Sequence, residues 1–176
     1  LQRRVQLLEV ELERNARRLD LLINVTRSVS LDLDDLLGQI VHDVGTVLPA
    51  ADVRVIYLYD KQAGYLYPRA CFGYDEDCLN QIRLQPGESM SGRVYQSGDS
   101  ALTRTSQEVY RLAGPLRQAN AVLYEKAIAG KTIRSNACAA LKTPTGEIIG
   151  TISMSSTGAA FDEEDRLLLG GVAGQI

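Results

Sequence analysis

The chain has 176 residues, of which 45% are hydrophobic and 23% charged, a composition that fits one globular domain with an appended element. Its formal net charge of -3 at pH 7 comes from interspersed acids and bases, so the sequence predicts no nucleic-acid partner. Its apolar runs are shorter than the roughly 18 residues that a membrane-spanning helix needs, so we predict no membrane insertion.

The sequence also bears on the cellular compartment. Its start lacks the basic, apolar and small-residue pattern of a secretion signal. The three cysteines, Cys71, Cys78 and Cys138, are odd in number and widely spaced, which favours free thiols over a disulfide framework. We therefore predict a cytoplasmic protein.

Residues 1–30 carry apolar or small side chains in alternating steps of four and three, the pattern of a coiled-coil seam. Charged residues fill the other faces of the helix, so the apolar face stays exposed to water unless another helix packs against it. We predict that residues 1–28 form an N-terminal signalling helix that dimerises through this seam. The predicted dimer contacts are Val5, Leu8, Leu12, Asn15, Leu19 and Leu22. The alternative is that the helix folds back onto its own domain.

The rest of the chain alternates helix and strand patterns. A capped apolar helix starts after Ser30 and ends before Pro49, and an acidic start at residues 162–165 opens a C-terminal helix. β-branched and aromatic residues predict two hairpins, at 53–71 and 135–155. Between them we predict a brief helix at 91–96, a short strand at 101–104, and helical structure at 105–129 that Gly114-Pro115 breaks or kinks. Hairpins with helices at both ends indicate an α+β domain with an antiparallel sheet.

Three segments together resemble motifs of the GAF domain family. They are the glycine-bounded run PGESMSGRVYQSG at 86–98, the hairpin TGEIIGTISM at 145–154 and the helix start FDEEDRLLL at 161–169. The resemblance covers about residues 20–176. Ala140 departs from it, because relatives often carry proline there.

This resemblance implies a GAF domain at residues 29–176 with a central antiparallel sheet of about six strands. It implies terminal helices on one sheet face and, on the other, a ligand pocket with a helical lid at about 105–130. Such domains often form homodimers through their N- and C-terminal helices and pass a signal to an output domain, here outside these residues. Bacterial sensor kinases, cyclases and regulators are the proteins in which this arrangement is expected.

The residue inventory argues against catalysis and against a metal site. His42 is the only histidine and lies at helical spacing between Val41 and Val44, where a structural role is expected. The glycine run at 87–98 lacks the Gly-Lys-Ser/Thr ending of a phosphate-binding loop. No histidine adjoins a cysteine, and the Asn-Lys-x-Asp pattern of cGMP-binding relatives is not seen. The sequence therefore predicts a domain that is not an enzyme, has no metal site and has an unidentified cofactor, if any.

We predict a small-molecule pocket between one sheet face and the lid. Aromatic and hydrogen-bonding side chains would orient the ligand, and small groups on the 135–142 strand would leave room for it. The predicted ligand contacts are Tyr57, Tyr59, Tyr110, Arg117, Tyr124, Asn136 and Cys138. Two functions remain open, a sensor for an unidentified small molecule and a ligand-free module for dimerisation and relay. A third alternative is a redox or chromophore site at Cys71 or Cys138.

Overall fold

The computed structural model describes residues 14, 15, 17, 33–113 and 116–176. In chain order the described helices and strands are α1 (Leu33–Val47), β1 (Val53–Asp60), β2 (Tyr65–Phe72), α2 (Glu76–Leu79), α3 (Ser89–Ser97), β3 (Ala101–Thr103), α4 (Ser106–Ala113), α5 (Gln118–Ala127), β4 (Ser135–Lys142), β5 (Ile148–Ser156) and α6 (Glu163–Ala173). The predicted break in the lid is present, because α4 and α5 are separate helices.

The sheet has the strand order β2-β1-β5-β4-β3, and every neighbouring pair is antiparallel. The two predicted hairpins are β1–β2 and β4–β5, and they join through the pairing of β1 with β5. The short strand β3 extends the sheet at the β4 edge. The predicted α+β class with a central antiparallel sheet is confirmed.

The described part of the chain forms five strands, where about six were expected. The closest approach to a sixth is at Leu84, whose backbone forms one isolated bridge with Leu66 of β2, with N···O distances of 2.7 and 2.9 Å. Pro86 follows two residues later and has no N–H with which to continue a ladder. This sheet edge therefore gains a single bridge instead of a strand.

Alternation along β5 gives the sheet one apolar and one polar face. Ile152 and Met154 are buried against α1 and α6, whereas Ser153 and Ser155 lie on the opposite face. The apolar face forms the main core with the two helices. Its buried members include Leu37, Ile40, Val41, Val44, Ile56, Ala137, Ala139, Leu141, Phe161, Leu169 and Val172.

A buried arginine fastens the C-terminal half of α1 to the sheet. Arg54 of β1 is 6% exposed, and its Nη1 donates hydrogen bonds to the backbone oxygens of Val41 (2.8 Å) and His42 (3.2 Å). Its guanidinium lies 4.0 Å from the centre of the Phe72 ring. Gly45 provides the space, since a Cβ there would lie 1.5 Å from this Nη1.

The predicted dimer seam lies mostly outside the described residues. The seam positions not described are Val5, Leu8, Leu12, Leu19 and Leu22. Asn15 has helical backbone and an exposed side chain, and dimerisation remains a prediction. Among the described helices, none is both long and apolar enough to cross a membrane.

Two glycines of α1 offer a matched pair of substitutions. Gly38→Ala places its methyl group at least 4 Å from the atoms around it and should stabilise the fold by about 0.5–1 kcal/mol, because alanine is the better helix former. Gly45→Ala brings the same gain in propensity but displaces the Arg54 guanidinium, so we expect net destabilisation of roughly 1–3 kcal/mol. Urea unfolding measures both changes, and equal stabilisation by the two variants would contradict the role given to Arg54.

Candidate functional site

A cavity of about 1000 Å³ lies between the polar face of the sheet and the helices α3, α4 and α5. Its volume is at the upper end of the range typical of small-molecule sites. Strands β1, β4 and β5 form the floor, with side chains from Val55, Tyr57, Asn136, Ser153 and Ser155. The wall is largely apolar and includes Ile82, Met90, Val109, Leu116 and Ile128.

The floor is built from residues that oppose one another on neighbouring strands. Ser155 pairs with Asn136 in the β4–β5 register, and Ser153 pairs with Val55 in the β1–β5 register. The Nδ2 of Asn136 donates hydrogen bonds to the hydroxyl oxygens of Ser153 (3.0 Å) and Ser155 (2.8 Å). Its Oδ1 is buried and has no hydrogen-bond partner in the described structure. The floor therefore carries an unpaired acceptor.

Sequence reasoning selected Asn136 but missed the two serines that orient it. The signal was present in the run TISMS at 151–155, where hydroxyl and apolar side chains alternate with the period of a strand. One face of β5 completes the core, and the other supplies the polar floor.

Tyrosines form an aromatic wall beside the floor. Tyr57 is 4% exposed, and the rings of Tyr74 and Tyr124 lie 6.4 Å apart in a tilted arrangement. Burial is the main cause that raises the pKa of all three phenols above the ordinary value. Their hydroxyl groups are therefore uncharged at neutral pH and able to donate hydrogen bonds.

Four of the seven predicted ligand contacts line the cavity. They are Tyr57, Tyr110, Tyr124 and Asn136. Tyr110 belongs to α4 and is 88% exposed, which places its side chain at the cavity mouth.

The other three predicted contacts lie elsewhere. Tyr59 shares a strand face with Tyr57, but α3 covers that end of β1, and Tyr59 stacks on Tyr95 with ring centres 4.5 Å apart. Cys138 is fully buried, with its Sγ 4.0 Å from the hydroxyl oxygen of Ser91. Arg117 points to Glu88 instead of the cavity.

All three cysteines are unpaired, and each has a raised pKa. Burial raises the pKa of the Cys138 thiol to about 12. Burial and the charge of Glu76 raise that of Cys71 to about 11. For Cys78, burial and the Asp75 carboxylate raise the pKa as well. These thiols are protonated at neutral pH, unlike the thiolates of reactive cysteines.

A buried carboxylate holds down the start of α5. Oε1 of Glu88 accepts hydrogen bonds from the backbone N–H of Arg117 (2.9 Å) and from Nδ2 of Asn120 (2.8 Å). Its Oε2 accepts from the backbone N–H of Gln85 (2.9 Å) and from Nε of Arg117 (3.0 Å). Nδ2 of Asn120 also donates to the backbone oxygen of Arg83 (2.8 Å). Glu88, Arg117 and Asn120 are called the lid clamp below.

Glycines shape the loop that presents Glu88. Gly87 has a φ of 86°, and its N–H donates to the backbone oxygen of Gly92 (2.9 Å). A Cβ on Gly92 would lie 2.5 Å from the backbone oxygen of Gln85, so the close approach requires glycine. Ser89, the first residue of α3, has a φ of 61°, which is uncommon for a residue with a side chain. The glycine run at 86–98 thus serves a turn between loop and helix.

The clamp stabilises the charged form of its carboxylate. Burial alone would raise the pKa of Glu88, but hydrogen bonds from Gln85, Asn120 and Arg117 outweigh burial and hold it below the ordinary value. Because the folded-state pKa is lowered, the clamp contributes stability above the pKa of the unfolded chain. That contribution is lost as the pH falls through the folded-state pKa.

Glu88→Gln should destabilise the domain at neutral pH by roughly 1.5–3 kcal/mol, because it removes a charged acceptor and turns amide hydrogens toward existing donors. Its stability should also fall less than that of the wild type between about pH 5 and about pH 3. Urea unfolding across this range measures both effects. Glu125→Gln, at an exposed position of α5, is the control and should change neither. An unchanged urea midpoint for Glu88→Gln at neutral pH would show that the clamp does not stabilise the fold.

Comparisons with known proteins bear on the family. A family model for the GAF domain matches residues 30–176, which is most of the chain. A comparison with curated protein sequences finds no match.

Solved structures with a similar fold include two from bacterial phosphotransferases. The GAF domain of a phosphoenolpyruvate-protein phosphotransferase from Acinetobacter has a TM-score of 0.72 and 19% identity, with 89% of this chain and 88% of that chain covered. Its counterpart from Coxiella burnetii has a TM-score of 0.71 and 17% identity, with 90% and 89% covered. At these identities the similarity concerns the fold.

A third similar structure corrects the prediction that the chain is not an enzyme. Free methionine-R-sulfoxide reductase from Neisseria meningitidis, in complex with its substrate, has a TM-score of 0.68 and 20% identity, with 92% of this chain and 84% of that chain covered. The fold of this enzyme is therefore nearly as similar to that of this chain as the folds of the two phosphotransferase GAF domains are. The prediction is wrong, because it relied on which residue types the sequence contains. Those residue types do not exclude catalysis in a fold that an enzyme also has.

The antiparallel sheet, the cavity on its polar face and the match over residues 30–176 agree with one another. The chain belongs to the GAF domain family and has its sensory and regulatory fold.

Proposed function

We propose that this domain is a sensor that binds a small organic molecule in the cavity between the sheet and the lid helices. The observation that carries the proposal is the buried and unpaired carbonyl oxygen of Asn136, a residue that lines the cavity floor. Leaving a buried acceptor unpaired costs roughly 1–3 kcal/mol. A ligand that hydrogen-bonds to Asn136 would remove this cost.

The cavity wall offers a route from ligand to conformation. Tyr110 and Val109 of α4 and Ala121 and Tyr124 of α5 line the cavity opposite the floor residue Asn136. A ligand that contacts floor and lid together would favour the lid position that fits it best. Its differential affinity for two lid positions sets the size of the response.

A bulky substitution in the cavity wall tests ligand binding. In the wild type, a ligand from a metabolite library at about 100 times its dissociation constant should add about 2.7 kcal/mol of stability and raise the melting temperature by roughly 5–10 °C. Ala121→Phe places an aromatic ring in the cavity wall and should reduce the shift, whereas Ala119→Phe, at an exposed position of the same helix, should retain it. Failure of every compound to shift the wild type would contradict the proposal and favour the ligand-free relay module.

For the output of the sensor we propose a relay through the terminal helices. The Arg14 guanidinium lies 2.5 Å from Oδ1 of Asp165, and it also forms longer ion pairs with Asp162 (3.9 Å) and Glu164 (3.8 Å). Asp165 and Asp162 form the capping box of α6. These contacts join the N-terminal segment to the helix that packs on the core, and they would couple the motions of the two.

The relay also requires a dimer, for which the predicted seam supplies the test. Leu12→Glu places a charge in the seam and should shift the chain from dimer to monomer at micromolar concentration, measured by light scattering after size-exclusion chromatography. Gln6→Glu, outside the seam, introduces the same charge and should leave the dimer intact. A monomeric wild type would defeat the relay proposal without affecting the ligand test.

A further inference from the structure

The charged residues of the cavity lining are all cationic. Arg111 and Lys131 line the cavity, whereas no aspartate or glutamate of the described residues does so. Arg111 forms no ion pair within the described part of the chain, and Lys131 donates to a neutral group, the backbone oxygen of Gly73. In a chain of net charge -3, two exposed cations are thus the charged side chains that the described residues place at this cavity.

The first turn of α3 also lies at the cavity. Its residues Ser89, Met90 and Ser91 line the cavity, and α3 is a nine-residue helix. The N-cap residue Glu88 forms no side-chain hydrogen bond to the helix, because its carboxylate is engaged in the lid clamp. The first turn of α3 therefore lies at the cavity, and its N–H groups receive no side-chain cap.

The cavity floor requires a hydrogen-bond donor on the ligand, in addition to the negative charge that the cations favour. Asn136 is 8% exposed and lines the cavity, both hydrogens of its amide are directed to Ser153 and Ser155, and its buried Oδ1 remains unpaired. A ligand that satisfies this oxygen must present an N–H or O–H donor. Between floor and mouth, Tyr57, Tyr124 and the apolar wall suit an aromatic or branched aliphatic body.

We infer that the cavity takes an amphipathic organic anion, whose N–H or O–H donor meets Asn136 and whose negative group lies in the field of Arg111, Lys131 and the start of α3. The inference rests on the proposed function and narrows it to a class of ligand. Neutral molecules of the same shape bind more weakly, because they gain nothing from the two cations. Cations are excluded by repulsion.

Two matched dyes test this inference. 6-Anilinonaphthalene-2-sulfonate and N-phenyl-2-naphthylamine share the same rings and amine N–H, but only the first carries a negative sulfonate, at the far end of the naphthalene from the N–H. Both fluoresce in apolar surroundings, so titration gives a dissociation constant for each. Arg111→Gln combined with Lys131→Gln should weaken the sulfonate dye about tenfold and change the neutral dye by less than about twofold. The control combines Arg93→Gln with Lys126→Gln, two exposed cations outside the cavity lining, and should change neither.

The outcomes separate this inference from the proposed function. Equal losses for the two dyes, or equal losses in the two charge variants, would overturn the anion assignment while cavity binding stands. Asn136→Leu should weaken both dyes by a similar factor, and unchanged binding would overturn the donor requirement. If neither dye binds the wild type, or if Ala121→Phe binds both as before, the inference fails, and the metabolite screen decides separately whether the proposed function stands. Near-UV circular dichroism of each variant shows that the dyes report on native protein instead of a partly unfolded state.

Discussion

The alternation of side chains along β5 is the constraint on which the domain depends. A strand exposes successive residues to opposite faces, so Ile152 and Met154 can complete the core only if Ser153 and Ser155 face the other way. A shift of one residue in register would bury the hydroxyl groups in the core and place the apolar side chains in the cavity. Pairing with β1 and β4 on both sides fixes this register. The same register therefore determines both the apolar core and the polar floor of the cavity.

The position of the lid depends on a second constraint, the burial of one carboxylate. A carboxylate that is removed from water needs hydrogen bonds to offset its lost hydration, and Glu88 receives four from backbone and side-chain donors. Because these donors belong to both the loop before α3 and the start of α5, satisfying one charge also positions the lid. The cavity wall formed by Leu116 and Ala121 is held next to this site.

Local patterns predicted much of this architecture. The two hairpins and the interruption between α4 and α5 follow from strand periodicity, turn residues and Gly114-Pro115, all of which act over a few residues. The lid clamp could not be predicted in this way, because Glu88 lies 29 residues from Arg117 and 32 from Asn120. The expectation that Tyr59 contacts the ligand failed for a similar reason. Strand alternation predicted which sheet face Tyr59 lies on, but the packing of α3 over that face is a tertiary contact.

The capping box of α6 has a mechanical consequence. Oδ2 of Asp165 accepts from the backbone N–H of Asp162, while Oδ1 accepts from Arg14, so one side chain both closes the first helical turn and receives the N-terminal segment. A displacement of that segment would load α6 at its first turn, next to Phe161 in the core, instead of along its exposed face. Asp165 is therefore the point at which the N-terminal segment is attached to α6, and in the proposed relay a rotation of that segment would tilt the helix.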